Sequence, residues 1–286
     1  MSRIVVAGAR GMLGRAVAGA LRAYRHNVVE WDVAEGDLSD EKTVAWMMDD
    51  MRPGVVINCA GYTDVEGAED PANLDAARRA NVDIPAHLAR ACAKKNRRFV
   101  HISTDYVFDG TARAPITEDA EPNPISVYAR TKLDGERAVL ESGAQNAVII
   151  RTAWLYGRLG RNFVDTIRRK AREHHRLEVV NDQTGCPTYA TDLAETIVRV
   201  THGVETGIFN AVNAGQATWY DLACAVVELA GIEGVEVVPC TSDRYPTKAK
   251  RPAYSVLDCS RLTRAIGFTM RPWREALRDY LTGSPA

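Results

Sequence analysis

Tyr128 and Lys132 stand four residues apart in Ser126-Val-Tyr-Ala-Arg-Thr-Lys. Four residues is one helical turn, so a phenol and an ammonium would project from the same helix face. An ammonium beside a phenol favours the phenolate and lowers a pKa that is otherwise about 10. A tyrosine tuned in this way gives a proton to a carbonyl oxygen, or takes one from an alcohol, near neutral pH. Ser103-Thr104 lies upstream in His-Ile-Ser-Thr-Asp-Tyr, and a hydroxyl there can hold the same oxygen. These groups suit hydride transfer at a carbonyl. The spacing alone is not selective: with ten tyrosines and seven lysines, chance produces the pair in roughly one chain in four, and a solvated helix face shows it too.

The N-terminus supplies the context. Arg3-Ile-Val-Val-Ala is an apolar run of strand type, followed by Gly8-Ala-Arg10-Gly11-Met12-Leu13-Gly14 and a helical pattern of Leu13, Val17 and Leu21. Glycines at these offsets permit a tight turn, close approach to a pyrophosphate, and packing of helix on strand. The helix N-terminus adds free N–H groups and a positive dipole end. A second strand, Asn27-Val-Val-Glu-Trp, ends at Asp32, where a carboxylate can accept from a ribose hydroxyl. Asp37 and Leu38, just beyond, are further candidates at this edge. A dinucleotide site is expected.

Composition suits an enzyme. The chain has 286 residues and a net charge of −1, which gives neither a nucleic-acid footprint nor a basic membrane-binding surface. No apolar run approaches transmembrane length, and Arg10 with the glycines interrupts what would otherwise mimic a signal sequence. Six cysteines without any Cys-x-x-Cys read as reduced thiols of a cytoplasmic protein. His101 reads as a packed histidine; His174-His175, placed on a polar helix, lack metal-ligand spacing.

Val55-Val-Ile-Asn, Arg98-Phe-Val-His-Ile and Ala147-Val-Ile-Ile-Arg alternate with helical stretches at 82–95 and 127–141. Buried strands separated by helices imply an α/β fold with a doubly wound parallel sheet. Ligands in such sheets sit at the carboxyl ends of the strands. Gly61-Tyr62-Thr63, Thr104-Asp105 and Arg151-Thr-Ala-Trp154 follow or end these strands and converge there. Residues 1–150 are expected to form the dinucleotide-binding domain. Residues 151–286, with longer loops, form mainly a smaller substrate domain, some of whose segments return to the sheet.

Together these blocks resemble the extended short-chain dehydrogenase/reductase family. Ser103–Gly110, Tyr128–Glu136, Arg151–Tyr156, Asn181–Thr188 and Arg251-Pro252, in that order, are similar to the branch that reduces dTDP-linked 4-keto-sugars. The resemblance implies reduction of the C4 ketone of dTDP-4-dehydro-L-rhamnose by NADPH, with NADH also usable. Tyr128 would then be the proton donor, and Lys132 its electrostatic partner, also reaching the cofactor ribose. Thr104 would position the substrate oxygen; Ser103 competes for that role, because strand alternation turns only one of them into the site. Asp105 and Trp154 would contact the nucleotide-sugar, with Asn162, Arg251, Lys248 and Lys250 as further candidates; Gly61, Tyr62 and Thr63 would line the nicotinamide end.

Some family members join subunits through a divalent ion held by carboxylates, one of them on the first helix. Here Gly14-Arg15-Ala16-Val17 offers none, and Asp192 stands alone near Thr188. No metal is expected, and the chain would be a monomer or a homodimer joined by other surfaces. Other readings stay open. A dehydratase would need an acid/base pair after Thr104, but Tyr106 follows Asp105. An epimerase would share the tyrosine and lysine, and a non-catalytic regulatory subunit would share the fold. Another dTDP-4-keto-sugar could also be the substrate.

Overall fold

Runs of β-branched and aliphatic residues buried on both sides build the centre of the molecule. The computed structural model describes residues 3–203 and 205–283; the outermost ends of both expected domains lie outside them. β1 (Arg3–Ala7), β2 (Asn27–Trp31), β3 (Val55–Asn58), β4 (Arg98–Thr104) and β5 (Ala147–Thr152) pair in parallel. α1 (Met12–Ala23) follows β1, α2 (Glu41–Met51) follows β2, and α3 (Leu74–Arg78) with α4 (Ile84–Lys94) follows β3. α5 (Val127–Leu140) joins β4 to β5. Ser126 caps it, its hydroxyl accepting from the Ala129 N–H at 3.2 Å.

The second half contributes β6 (Leu155–Tyr156), α6 (Phe163–Glu173), β7 (Arg176–Val180), β8 (Thr184–Gly185), β9 (Thr188–Tyr189) and α7 (Ala190–His202). β10 (Gly207–Asn210), β11 (Ala217–Thr218), α8 (Trp219–Leu229), β12 (Glu236–Cys240), α9 (Ser260–Ile266) and α10 (Trp273–Thr282) complete it. β10 returns to the central sheet beside β5, giving the order β10-β5-β4-β3-β1-β2. The order reverses between β1 and β3, the switch point where such sheets open a crevice.

Strand alternation splits the core. Ile4, Val6, Ile57, Val100 and Ile150 pack with Val17 and Leu21 of α1 and Leu193 and Ile197 of α7. Val5, Val56, Phe99 and Ile149 face Met47, Leu88 and Ala89 on the other side. A separate cluster of Val164, Ile167, Leu177, Leu222, Val226 and Leu277 holds the second half together. No helix among the described residues is long and apolar enough to cross a membrane.

Candidate active site

The turn after β1 is built for close approach. A Cβ on Gly14 would stand 2.1 Å from the Gly8 carbonyl oxygen, and one on Gly8 (φ +71°) would stand 2.5 Å from the Ala60 nitrogen. The loop after β1 thus lies directly on the end of β3, at the switch point. α1 begins without a side-chain cap and without an acidic residue in its first turn, so its leading N–H groups are left for an anion. This cradle fits a dinucleotide pyrophosphate, and a reduced nicotinamide bound along it would supply the hydride.

Beside the cradle is a cleft of about 450 Å³, lined by Gly11, Met12 and Leu13 from the turn, and by Gly61 and Thr63 beyond β3. Ser103, Thr104, Asp105, Tyr128, Lys132, Trp154 and Arg251 line it as well. Lys132 donates from Nζ to the Ile102 carbonyl at 2.7 Å, and burial lowers its pKa to about 8. Tyr128 differs from the sequence-based expectation. Its pKa rises to about 12 because burial disfavours the phenolate; the Thr104 hydroxyl offsets part of this, and the Asp105 charge adds to it. The phenol is therefore held as an acid, protonated across the neutral range, and its ionisation waits for an oxygen that will take the proton.

Strand alternation was expected to turn only one hydroxyl of Ser103-Thr104 inward, yet both residues border the cleft. Ser103 Oγ is buried with no hydrogen-bond partner, whereas Thr104 Oγ1 donates to Asp105 Oδ1 at 3.1 Å and accepts from the Tyr106 N–H at 3.3 Å. His101 is fully buried, with Nδ1 3.1 Å from Asn58 Nδ2, and burial holds its pKa well below the ordinary value. It is a neutral, packed ring.

Several expected residues stand elsewhere. Asn162 does not line the cleft: it caps α6, its oxygen accepting from the Asp165 N–H at 2.9 Å and its amide donating to the Gly157 carbonyl at 3.0 Å. The capping signal Asn-x-x-Asp explains it better than a substrate role. Leu38 is core, 4% exposed among Trp31 and Val44, and Asp37 accepts from the Ser39 N–H at 2.9 Å in the turn leading to α2. Tyr62 is placed through its backbone, bracketed by the Asn81 side chain at 2.9 and 3.1 Å. The Lys248 N–H donates to Glu66, and Arg251 pairs with the same carboxylate at 3.0 Å. Neither Lys248 nor Lys250 lines the cleft. His174-His175 fall at the exit from α6, not within a helix.

Three residues enter the site unannounced. Asn81, in a π-helical turn at Arg79–Asp83, is fully buried and also donates to Thr131 Oγ1 at 3.0 Å. It thereby fastens the Gly61-Tyr62 backbone to the helix that carries Tyr128. Trp219 stacks on Trp154 with ring centroids 3.5 Å apart and planes 4° from parallel. Trp154 adopts φ +44° to reach that position, local strain held by the stack. Ser255 donates to Asp105 Oδ2 at 2.5 Å.

At the outer rim Asp32 accepts from the Arg10 N–H at 2.9 Å, and the Arg10 guanidinium pairs with Glu35 at 2.6 Å. A ribose 2′-phosphate must therefore compete with Glu35 for Arg10. Arg10→Ala is expected to weaken NADPH binding while sparing NADH, and Glu35→Gln to tighten NADPH, in fluorescence titrations of both cofactors. Equal losses with both cofactors in Arg10→Ala would show that this arginine does not read the phosphate.

Arg15, where a metal-binding carboxylate was sought, donates to the Arg10 carbonyl at 2.9 Å. Asp192 is engaged by Arg271 through both carboxylate oxygens at 2.9 Å and by the Asn213 amide at 2.7 Å. Both of its oxygens are already engaged. Treatment with a chelator is expected to leave both activity and solution mass unchanged; loss of both, restored by magnesium, would contradict this.

Fold and cleft together define a dinucleotide-dependent oxidoreductase of the extended short-chain type. The chain belongs to the family described as RmlD substrate binding domain, whose model matches residues 2–284. A relative from Mycolicibacterium smegmatis named dTDP-4-dehydrorhamnose reductase is 43% identical over 97% of this chain and 84% of its own. One from Streptomyces niveus named dTDP-4-keto-6-deoxy-D-glucose reductase is 41% identical over 96% of this chain and 95% of its own. The crystal structure of dTDP-4-dehydrorhamnose reductase from Bacillus anthracis in complex with NADP superposes with a TM-score of 0.93, at 32% identity and with 99% of each chain covered.

Proposed function

We propose that this chain transfers hydride from NADPH to the C4 ketone of dTDP-4-dehydro-L-rhamnose, giving dTDP-L-rhamnose for cell-surface polysaccharides. The observation that carries this reading is the position of Tyr128. Its buried, protonated phenol sits beside Thr104 and Lys132 in the cleft onto which the glycine turn opens. Tyr128 gives its proton to the C4 oxygen as the carbonyl carbon accepts hydride, and Thr104 holds that oxygen. Lys132 places a positive charge close to the forming phenolate. The names of the relatives from M. smegmatis and B. anthracis support the same substrate.

The competing chemistries fit less well. Where a dehydratase would need a carboxylate after Asp105, Tyr106 sits with its ring edge-on to Tyr128 at 6.0 Å. A regulatory subunit would have no need for an intact set of Thr104, Tyr128 and Lys132. A second substrate, dTDP-4-keto-6-deoxy-D-glucose, is favoured by one observation, the name of the S. niveus relative at nearly the same identity. The experiment is to follow loss of NADPH absorbance with each sugar. A higher kcat/KM for dTDP-4-dehydro-L-rhamnose supports the proposal, and turnover of only the other sugar rejects it. The enzyme would work in the cytoplasm, as a monomer or as a dimer not bridged by metal.

A further inference from the structure

Arg251 borders two cavities. One is the catalytic cleft; the other, of about 640 Å³, is lined by Phe163 and Lys170 of α6, Glu178 of β7, and Tyr245. Arg251 and Trp219 line both, so the two spaces adjoin at these side chains. The loop that follows β3 in the first half reaches the same point. Its Glu66 carboxylate accepts from Arg251 Nη2 at 3.0 Å through Oε1. Through Oε2 it accepts from the Lys248 N–H at 2.9 Å and the Ala249 N–H at 3.5 Å. One carboxylate thus clasps both the guanidinium and the backbone that carries it. Thr63 and Val65, just before Glu66, line the catalytic cleft.

The clasp leaves Arg251 with donors to spare. Its bond to Glu66 uses Nη2, and Nε is buried with no hydrogen-bond partner among the described residues. A buried donor of this kind is unfavourable until an acceptor reaches it. Beyond Arg251 the chain is pinned. A Cβ on Gly110 (φ +88°) would stand 2.5 Å from the Ala253 nitrogen, and the Thr184 N–H donates to the Ala253 carbonyl at 2.8 Å. Before Lys248 the chain is exposed from Asp243 to Thr247, and Glu66 joins this arm to the first half.

We propose that Glu66 is a positioning residue for the sugar nucleotide. It fixes the Arg251 guanidinium at the junction of the two cavities, where that cation receives the diphosphate joining sugar to nucleoside. The proposal rests on the reductase reading above: with the sugar at Tyr128, the rest of the substrate leaves the catalytic cleft past Arg251. A planar guanidinium binds phosphate oxygens through N–H bonds whose direction matters, and Glu66 supplies that direction. Glutamine cannot do the same. Its amide has one oxygen, and the NH2 would face either the guanidinium or the backbone N–H groups, donor against donor.

A carboxylate beside Arg251 also repels a diphosphate, so placement and charge predict opposite signs. If placement decides, Glu66→Gln weakens dTDP binding; if charge decides, it tightens it. Calorimetry with dTDP should show Glu66→Gln binding about tenfold or more weaker than wild type. KM for dTDP-4-dehydro-L-rhamnose should rise alike, with kcat and NADPH affinity within about twofold of wild type. Arg251→Gln should lose at least as much, and the double variant no more than Arg251→Gln alone, because Glu66 acts through it. The side chains are 31% and 37% exposed, so the variants should melt close to wild type. Unchanged or tighter dTDP binding in Glu66→Gln overturns the proposal, as does a double variant whose losses add. So does an equal loss of NADPH affinity, which a general loosening of the loop would give. Wild-type protein that binds no dTDP rejects the reductase reading along with it; wild-type binding that Glu66→Gln leaves intact rejects this proposal alone.

Discussion

Replacing Tyr128 by phenylalanine is expected to lower turnover by about 10²–10⁴, the usual range for loss of a general acid, while NADPH binding stays nearly intact. The phenol is the group in the cleft that combines a proton held at neutral pH with a position beside Thr104. Phenylalanine fills the same space at 9% exposure and removes only the hydroxyl, so kcat should carry the loss and KM should not. Cofactor titration, thermal melting and steady-state rates on one preparation separate the roles. A variant that folds, binds NADPH and keeps near-native kcat would show that another group protonates the carbonyl oxygen.

The reason this residue could be found in the sequence is that its signal is local. One helical turn fixes Tyr128 to Lys132, and a strand–turn–helix with three glycines fixes the phosphate cradle; both are written within a dozen residues. The parallel sheet was legible for the same reason, since strands buried on both faces read as unbroken apolar runs. What escaped depends on contacts far apart in the chain. Ser255 meets Asp105 across 150 positions, and Trp219 stacks on Trp154 from the start of α8. Asn81 binds Tyr62 and Thr131 from a π-helical turn that no periodicity announces. Asn162 was misread for the opposite reason: its capping pattern with Asp165 is local, but a polar residue in a loop was given to the substrate. The Tyr128 pKa was misjudged because spacing conveys charge and says nothing of burial, and here burial raises it.

One turn beyond Lys132 on α5, Glu136 should prove the most costly charge in the protein to remove. It receives Arg151 of β5 in a two-pronged pair, Nε to Oε1 at 2.9 Å and Nη2 to Oε2 at 2.7 Å, with side chains 1% and 2% exposed. The guanidinium also donates to the Glu118 carbonyl at 3.4 Å and lies over the Phe108 ring at 5.1 Å. The pair ties the helix bearing Tyr128 and Lys132 to the sheet. Such a bridge need not stabilise the fold relative to two apolar residues, but removing one partner strands the other charge away from water. Glu136→Ala is therefore expected to cost about 3–5 kcal/mol, a fall in melting temperature on the order of 10 °C. Pairing Glu136→Met with Arg151→Met should recover much of this stability, because no charge then remains buried. The double variant also separates stability from placement. If the ion pair sets where α5 sits, it should melt near wild type yet turn over more slowly, since the Lys132 contact with the Ile102 carbonyl depends on the seating of that helix. Full activity in a stable double variant would instead assign the seating of α5 to its packing and to the Asn81–Thr131 hydrogen bond alone.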